Sequence, residues 1–172
     1  RQARHTSILG DDQIHIWPEY EGAQPAADLQ MLLMERGLAG KRLGIETQSH
    51  GLTVHDWEAL RSALGQDVTP ADEIMRALRR VKSSAEIEMH RRAAALSDDA
   101  LDAALATTRP GAFEGDILAA MQGAVFKGGG DYAGNEFILG SGQGALLCRY
   151  YSGRRHLDDE DQLTLEWSGA YA

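Results

Sequence analysis

Ser83-Ser84-Ala85-Glu86 divides the chain into two kinds of pattern. A serine followed three residues later by a glutamate is a helix start. The hydroxyl takes an orphan backbone N–H, and the carboxylate reaches back to the cap. Behind it, Ile87, Ala94, Leu101 and Leu105 recur on one helical face, predicting a long helix that ends before Arg109-Pro110-Gly111. A second helix is predicted from Glu114 to Phe126, with Ile117, Leu118, Met121 and Val125 turned inward, and Lys127-Gly128-Gly129-Gly130 breaks it. Short strands follow at Phe137–Leu139, Leu146–Tyr151 and Leu163–Trp167.

The stretch before the serine reads differently. Gln13 to Trp17 alternates polar and apolar as a half-buried strand does, and Pro18 ends it. Ala26 to Arg36 is helical, with Leu29, Leu32 and Leu33 at helical spacing and Gly37 as its stop. Arg42–Glu46 predicts a strand, Val54–Leu64 a helix, Val68 another strand, and Ala71–Val81 a helix. Strands and helices in alternation are the mark of an α/β layer. The change of pattern places a domain boundary near Arg80 to Ser83, giving domains over residues 1–80 and 83–172.

Charge narrows the partners. The 172 residues carry 17 basic and 26 acidic side chains, a net charge of -9. A phosphate backbone needs a basic footprint, so nucleic acid is excluded and a small-molecule substrate is expected. No apolar run reaches the roughly 18 residues of a membrane span. The single cysteine, Cys148, allows no internal disulfide, which points to a reducing, cytoplasmic setting.

The chemistry-bearing residues gather near the end. Gly140-Ser141-Gly142-Gln143-Gly144-Ala145 superficially matches a dinucleotide fingerprint, but extended residues follow where that motif needs a helix, so it reads as a tight turn. Ser141 lacks the G-x-S-x-G context of a nucleophile. The six histidines are scattered and make no zinc motif. Glu166 lies in a strand between Leu165 and Trp167, sharing a face with Thr164 and Ser168, as a site or a solvated sheet face requires. Arg149 offers a planar, permanently charged clamp for a carboxylate. Gly153-Arg154-Arg155-His156 and Asp158-Asp159-Glu160-Asp161 read as a solvated charged turn.

Three stretches carry a resemblance. "RVKSSAEIEMHRRAA" (residues 80–94) resembles the linker and first catalytic helix of the creatinase/prolidase/aminopeptidase P proteins, the M24 pita-bread hydrolases. "NEFILGSGQGALLCRY" resembles their approach to the active site, and "DQLTLEWSGAYA" the strand bearing the first metal-ligand aspartate. The resemblance implies a mixed α/β (α+β) chain. Residues 1–80 would be the C-terminal part of a creatinase-like N-terminal domain, and 83–172 the first part of a pita-bread catalytic domain. Most remaining ligands are then expected beyond Ala172, so that the chain is an internal piece of a homodimeric hydrolase, inactive by itself.

Family metallopeptidases have His where this chain has Arg149 and Asp where it has Glu166. A guanidinium repels divalent cations and a longer acid displaces the ligand oxygen. The expected enzyme is therefore a creatinase-type hydrolase that needs no cofactor and opens a small cyclic amidine, closest to the ectoine hydrolase branch. Glu166 and Arg149 would be catalytic, with Arg149 and Tyr150 binding substrate. The alternative is a Xaa-Pro dipeptidase or aminopeptidase with two divalent ions (manganese, zinc or cobalt) and Glu166 as a ligand. A second alternative is a pita-bread binding module without catalysis.

Overall fold

The computed structural model describes residues 7–16, 20–146 and 154–172. The chain separates into two units, Arg1–Val81 and Lys82–Ala172. No described helix is long and apolar enough to cross a membrane. Arg149, Tyr150 and most of the strand expected over residues 146–151 lie outside the described residues, and Leu146 itself ends a short 3-10 turn, Gly142–Leu146.

The first unit is a βαβ motif with a helix before it and a helix after it. Strand β1 (Leu43–Ile45) pairs in parallel with β2 (Val68–Pro70), Leu43 opposite Val68 and Ile45 opposite Pro70. Parallel neighbours need a crossover, and here α2 (Val54–Leu64) supplies it. Thr53 caps α2 by accepting the Asp56 N–H at 3.1 Å, and Gly65 ends it in the left-handed region, at φ 59°. Helix α1 (Pro25–Glu35) packs on α2. Helix α3 (Asp72–Arg80) begins where the Asp72 carboxylate accepts from Gln48 N–H (2.9 Å) and the Thr47 hydroxyl (2.8 Å). Those bonds, Gln48 first, hold the Asp72 carboxyl below the usual carboxylate value. Of the described apolar residues in this unit only Ala26 is buried, and it keeps 9% of its surface. Leu29, Leu33, Leu43, Ile45, Leu60 and Val68 line an open cleft of about 570 Å³.

The strand predicted over Gln13–Trp17 does not form among its described residues, and Ile14, His15 and Ile16 carry no regular structure. Asp11–Gln13 forms a 3-10 turn, closed by the Gly10 N–H donating to Gln13 Oε1 at 3.0 Å. The polar side chain offers the backbone a local partner and wins over extension. Ile16 stands 66% exposed, and Trp17 lies outside the described residues.

The second unit is a helix pair covered by a hairpin. Helix α4 (Ser84–Thr107) starts at the expected capping box: Ser83 Oγ accepts from Glu86 N–H, and Glu86 Oε2 accepts from Ser83 N–H at 2.8 Å. Helix α5 (Glu114–Lys127) packs along it. Ile117, Met121 and Val125 are buried, each fourth residue of α5, against Leu96, Ala100 and Ala104 of α4. Burying a side chain such as Ile117 contributes about 1.5–3 kcal/mol. The predicted inward face of α4 needs correction. Ile87 and Leu105 are exposed, and the seam runs through two alanines with no accessible surface. Small residues let α5 approach closely, so size was a poor guide to which face turns inward.

Strands β3 (Ile138–Ser141) and β4 (Leu163–Glu166) pair antiparallel, Ile138 opposite Glu166 and Ser141 opposite Leu163. Beyond β4 the chain runs along α4. A Cβ at Gly169 would lie 2.0 Å from the Ala93 carbonyl oxygen, so only glycine fits that approach. Gly169 N–H donates to Ser97 Oγ at 2.6 Å, and the Trp167 indole N–H to the Ser97 carbonyl at 2.9 Å.

Candidate functional site

Strand alternation decides which way Glu166 faces. Leu163, Leu165 and Trp167 pack against the core of the second unit. Thr164 and Glu166 therefore point the other way. Thr164 Oγ1 donates to the Ala145 carbonyl at 2.7 Å, tying this face to the 3-10 turn after β3. Glu166 and Ser168 are exposed. Among the described residues, Glu166 has no ion pair and no side-chain hydrogen bond. Its backbone is held by the strand pairing and by the Trp167 and Gly169 anchors on α4, and its side chain points away from the core.

Of the predicted site residues, Glu166 is thus placed, whereas Arg149 and Tyr150 lie outside the described residues. Among the described residues, no three His, Cys, Asp or Glu side chains converge as a metal cluster would. As a donor, Glu166 fits a divalent cation in kind: it is a hard oxygen ligand with no described cation competing for it. It is a single ligand, and a dinuclear centre needs several.

A second set of polar residues escaped the sequence reading. Glu114, the first residue of α5, has no exposed surface. Its Oε1 accepts from Ser141 N–H at 3.1 Å and from Ser141 Oγ–H at 2.5 Å. Its Oε2 accepts from the backbone N–H groups of Arg154 (3.3 Å) and Arg155 (3.2 Å). Arg155 Nη1 donates to Ser141 Oγ at 2.7 Å and to Asp161, and Nη2 donates to Asp158. The bond to Asp161 raises the Arg155 guanidinium above its usual value. Arg155, and then the Asp158 N–H at 2.7 Å, holds the Asp161 carboxyl below the usual range.

The turn read as solvated is only partly so. The Asp161 side chain is 9% exposed and Leu157 is buried; Leu157 N–H donates to the Ala112 carbonyl at 2.9 Å, and the Leu157 carbonyl accepts from Gly111 N–H at 2.8 Å. Partners 27 and 41 residues apart leave no local trace in sequence. The one available signal was an acid at a helix N-terminus, which reads equally well as an exposed dipole partner.

Comparison with known proteins follows the same division. The Creatinase/Prolidase N-terminal domain profile matches residues 1–81, and that of Metallopeptidase family M24 matches residues 88–172. Among solved structures, a Xaa-Pro dipeptidase from Bacillus anthracis matches with TM-score 0.76 and 23% identity, over 99% of this chain and 45% of its own. Prolidase from Pyrococcus furiosus matches with TM-score 0.79 and 19% identity, over 99% and 49%. An X-Pro aminopeptidase from Thermotoga maritima matches with TM-score 0.70 and 19% identity, over 99% and 46%. These likenesses establish a shared fold. The chain spans somewhat under half the length of the structures it matches. A search of curated protein sequences finds no match.

These matches correct the expectation of a catalyst without a cofactor. The profile over residues 88–172 is that of a metallopeptidase family. The physical error lay in the weight given to one side chain: a glutamate is the same kind of oxygen donor as an aspartate, and its length alone does not exclude a cation. The cyclic-amidine substrate finds no support among these neighbours.

Proposed function

Because the chain belongs to the creatinase, prolidase and M24 metallopeptidase family, we propose that its parent protein is a metal-dependent hydrolase of peptide bonds preceding proline. Dipeptides or short peptides beginning Xaa-Pro would be its substrates. The observation that carries this reading is the succession of the two profiles along one chain. The names of its structural neighbours, Xaa-Pro dipeptidase, prolidase and X-Pro aminopeptidase, favour the substrate class.

In this reading Glu166 is one carboxylate ligand of the metal centre. When bound, a divalent ion polarises the scissile carbonyl and lowers the pKa of a water to near neutrality. Arg149 holds the substrate carboxylate, a task its planar fork suits. Tyr150, next in sequence, contributes to substrate binding. A homodimeric, cytoplasmic enzyme is part of the same proposal, supported by the family and by the lone Cys148.

The test uses the full parent protein with an Xaa-Pro dipeptide. Cleavage that a strong chelator abolishes, and that manganese, zinc or cobalt restores, is the expected result. E166Q is expected to weaken metal binding by at least the roughly 10–100-fold typical of outer-shell changes. Cleavage indifferent to chelator, or peptide binding without turnover, would refute the proposal.

A further inference from the structure

The buried Glu114 has no part in the reaction just described, yet it holds the end of the hairpin that carries Glu166. A carboxylate with no exposed surface is costly unless its lone pairs are met by donors. Among the described residues, four donors meet it, from two separate stretches of chain: Ser141 at the end of β3, and the backbone of Arg154 and Arg155 on the way to β4. Arg155 extends the tie, bridging Ser141 Oγ to Asp161, two residues before β4 begins. Gly142 N–H closes the same end on the Gln162 carbonyl at 3.0 Å. One carboxylate, itself fixed at the start of α5, thus ties down both strands where the hairpin pairing begins.

Register is what such a tie controls. Ser141 pairs with Leu163, and three residues along Ile138 pairs with Glu166. A slip of one residue turns every side chain of a strand to the opposite face. It would send Glu166 toward the core and expose Leu165. A half-buried strand of four residues has few ladder bonds of its own to resist that slip.

We infer that Glu114, through Ser141 and Arg155, is a positioning residue that fixes the β3–β4 register and so places the Glu166 carboxylate for the reaction. The inference rests on the proposed role of Glu166.

The test compares E114Q, S141A and E166Q in the full parent enzyme, with backbone amide exchange as a readout besides activity. E114Q removes the charge and one acceptor oxygen. S141A removes a single hydroxyl and serves as the test variant if E114Q does not fold. Both are expected to retain a cooperative melt. The Leu163–Glu166 amides should exchange about tenfold or more faster, since local opening sets exchange. kcat should fall about 10–100-fold, the scale of an ångström-sized misplacement, with KM little changed. Combined with E166Q, either variant should add nothing to the loss, because both act through that carboxylate.

Unchanged exchange at Leu163–Glu166 in both variants would overturn the register claim. Losses fully additive with E166Q would reduce Glu114 to a merely structural part. If E166Q alone keeps wild-type activity, the proposed role of Glu166 falls and the positioning role with it, while the exchange data still decide whether Glu114 sets the register.

Discussion

Asp161 is the acid whose environment departs furthest from the solvated turn its neighbours suggested. Arg155 and the Asp158 N–H both favour its ionised form, so its folded pKa lies below the ordinary 3.8. The sign of the pH effect follows from linkage. A lowered folded pKa contributes stability that is fully present above the unfolded value and is lost as pH falls through the folded one. The stability gap between wild type and D161N should therefore be constant near neutrality and shrink below about pH 4, where the wild-type acid takes up its proton. Urea titrations at a series of pH values measure it. A gap that stays constant or widens into acid would show that the pair with Arg155 does not hold in solution.

Helices were the elements most open to reading from sequence. The capping box at Ser83 and the glycines after Lys127 are local signals, and the structure uses both. Because the Ser83 hydroxyl meets an orphan N–H of α4, S83A should cost about 1 kcal/mol. Glycine there should cost only a few tenths, by Ncap preference. A thermal melt of the three proteins decides it; equal stabilities would mean that the cap is not formed in solution.

What sequence could not supply was anything set by a distant partner. The inward face of α4 depends on where α5 lies, and two alanines betray nothing of that. The 3-10 turn at Asp11 has a local cause instead: Gln13 reaches back to Gly10, while opening an alternation that equally describes a strand. At the candidate site, Glu166 was legible because strand period alone turns it away from Leu165. Glu114 was not, because its burial is created by Ser141 and Arg155, far along the chain.

The two units differ in how much they bury, and that difference has a thermodynamic consequence. The second has a connected core around Leu96, Ala100, Ile117, Met121, Val125 and Leu139. The first, among its described apolar residues, buries only Ala26 and leaves the leucines of its cleft partly open. Burial of apolar surface is the main favourable term in folding, so the first unit has less to set against its conformational entropy. Unfolding of this 172-residue chain should not be two-state. A first transition at low urea should remove the β1–α2–β2 unit, and a second should remove the α4–α5 pair. L33A should move only the first midpoint, by about 1 kcal/mol or less given partial burial. M121A should move only the second, by about 2–5 kcal/mol. Far-UV circular dichroism locates both transitions, and tryptophan fluorescence helps assign them, since Trp17 and Trp57 belong to the first unit and Trp167 to the second. A single transition that both substitutions shift together would mean that the two units unfold as one. The stability of the Glu166 hairpin would then depend on residues 1–81 as well as on its own core.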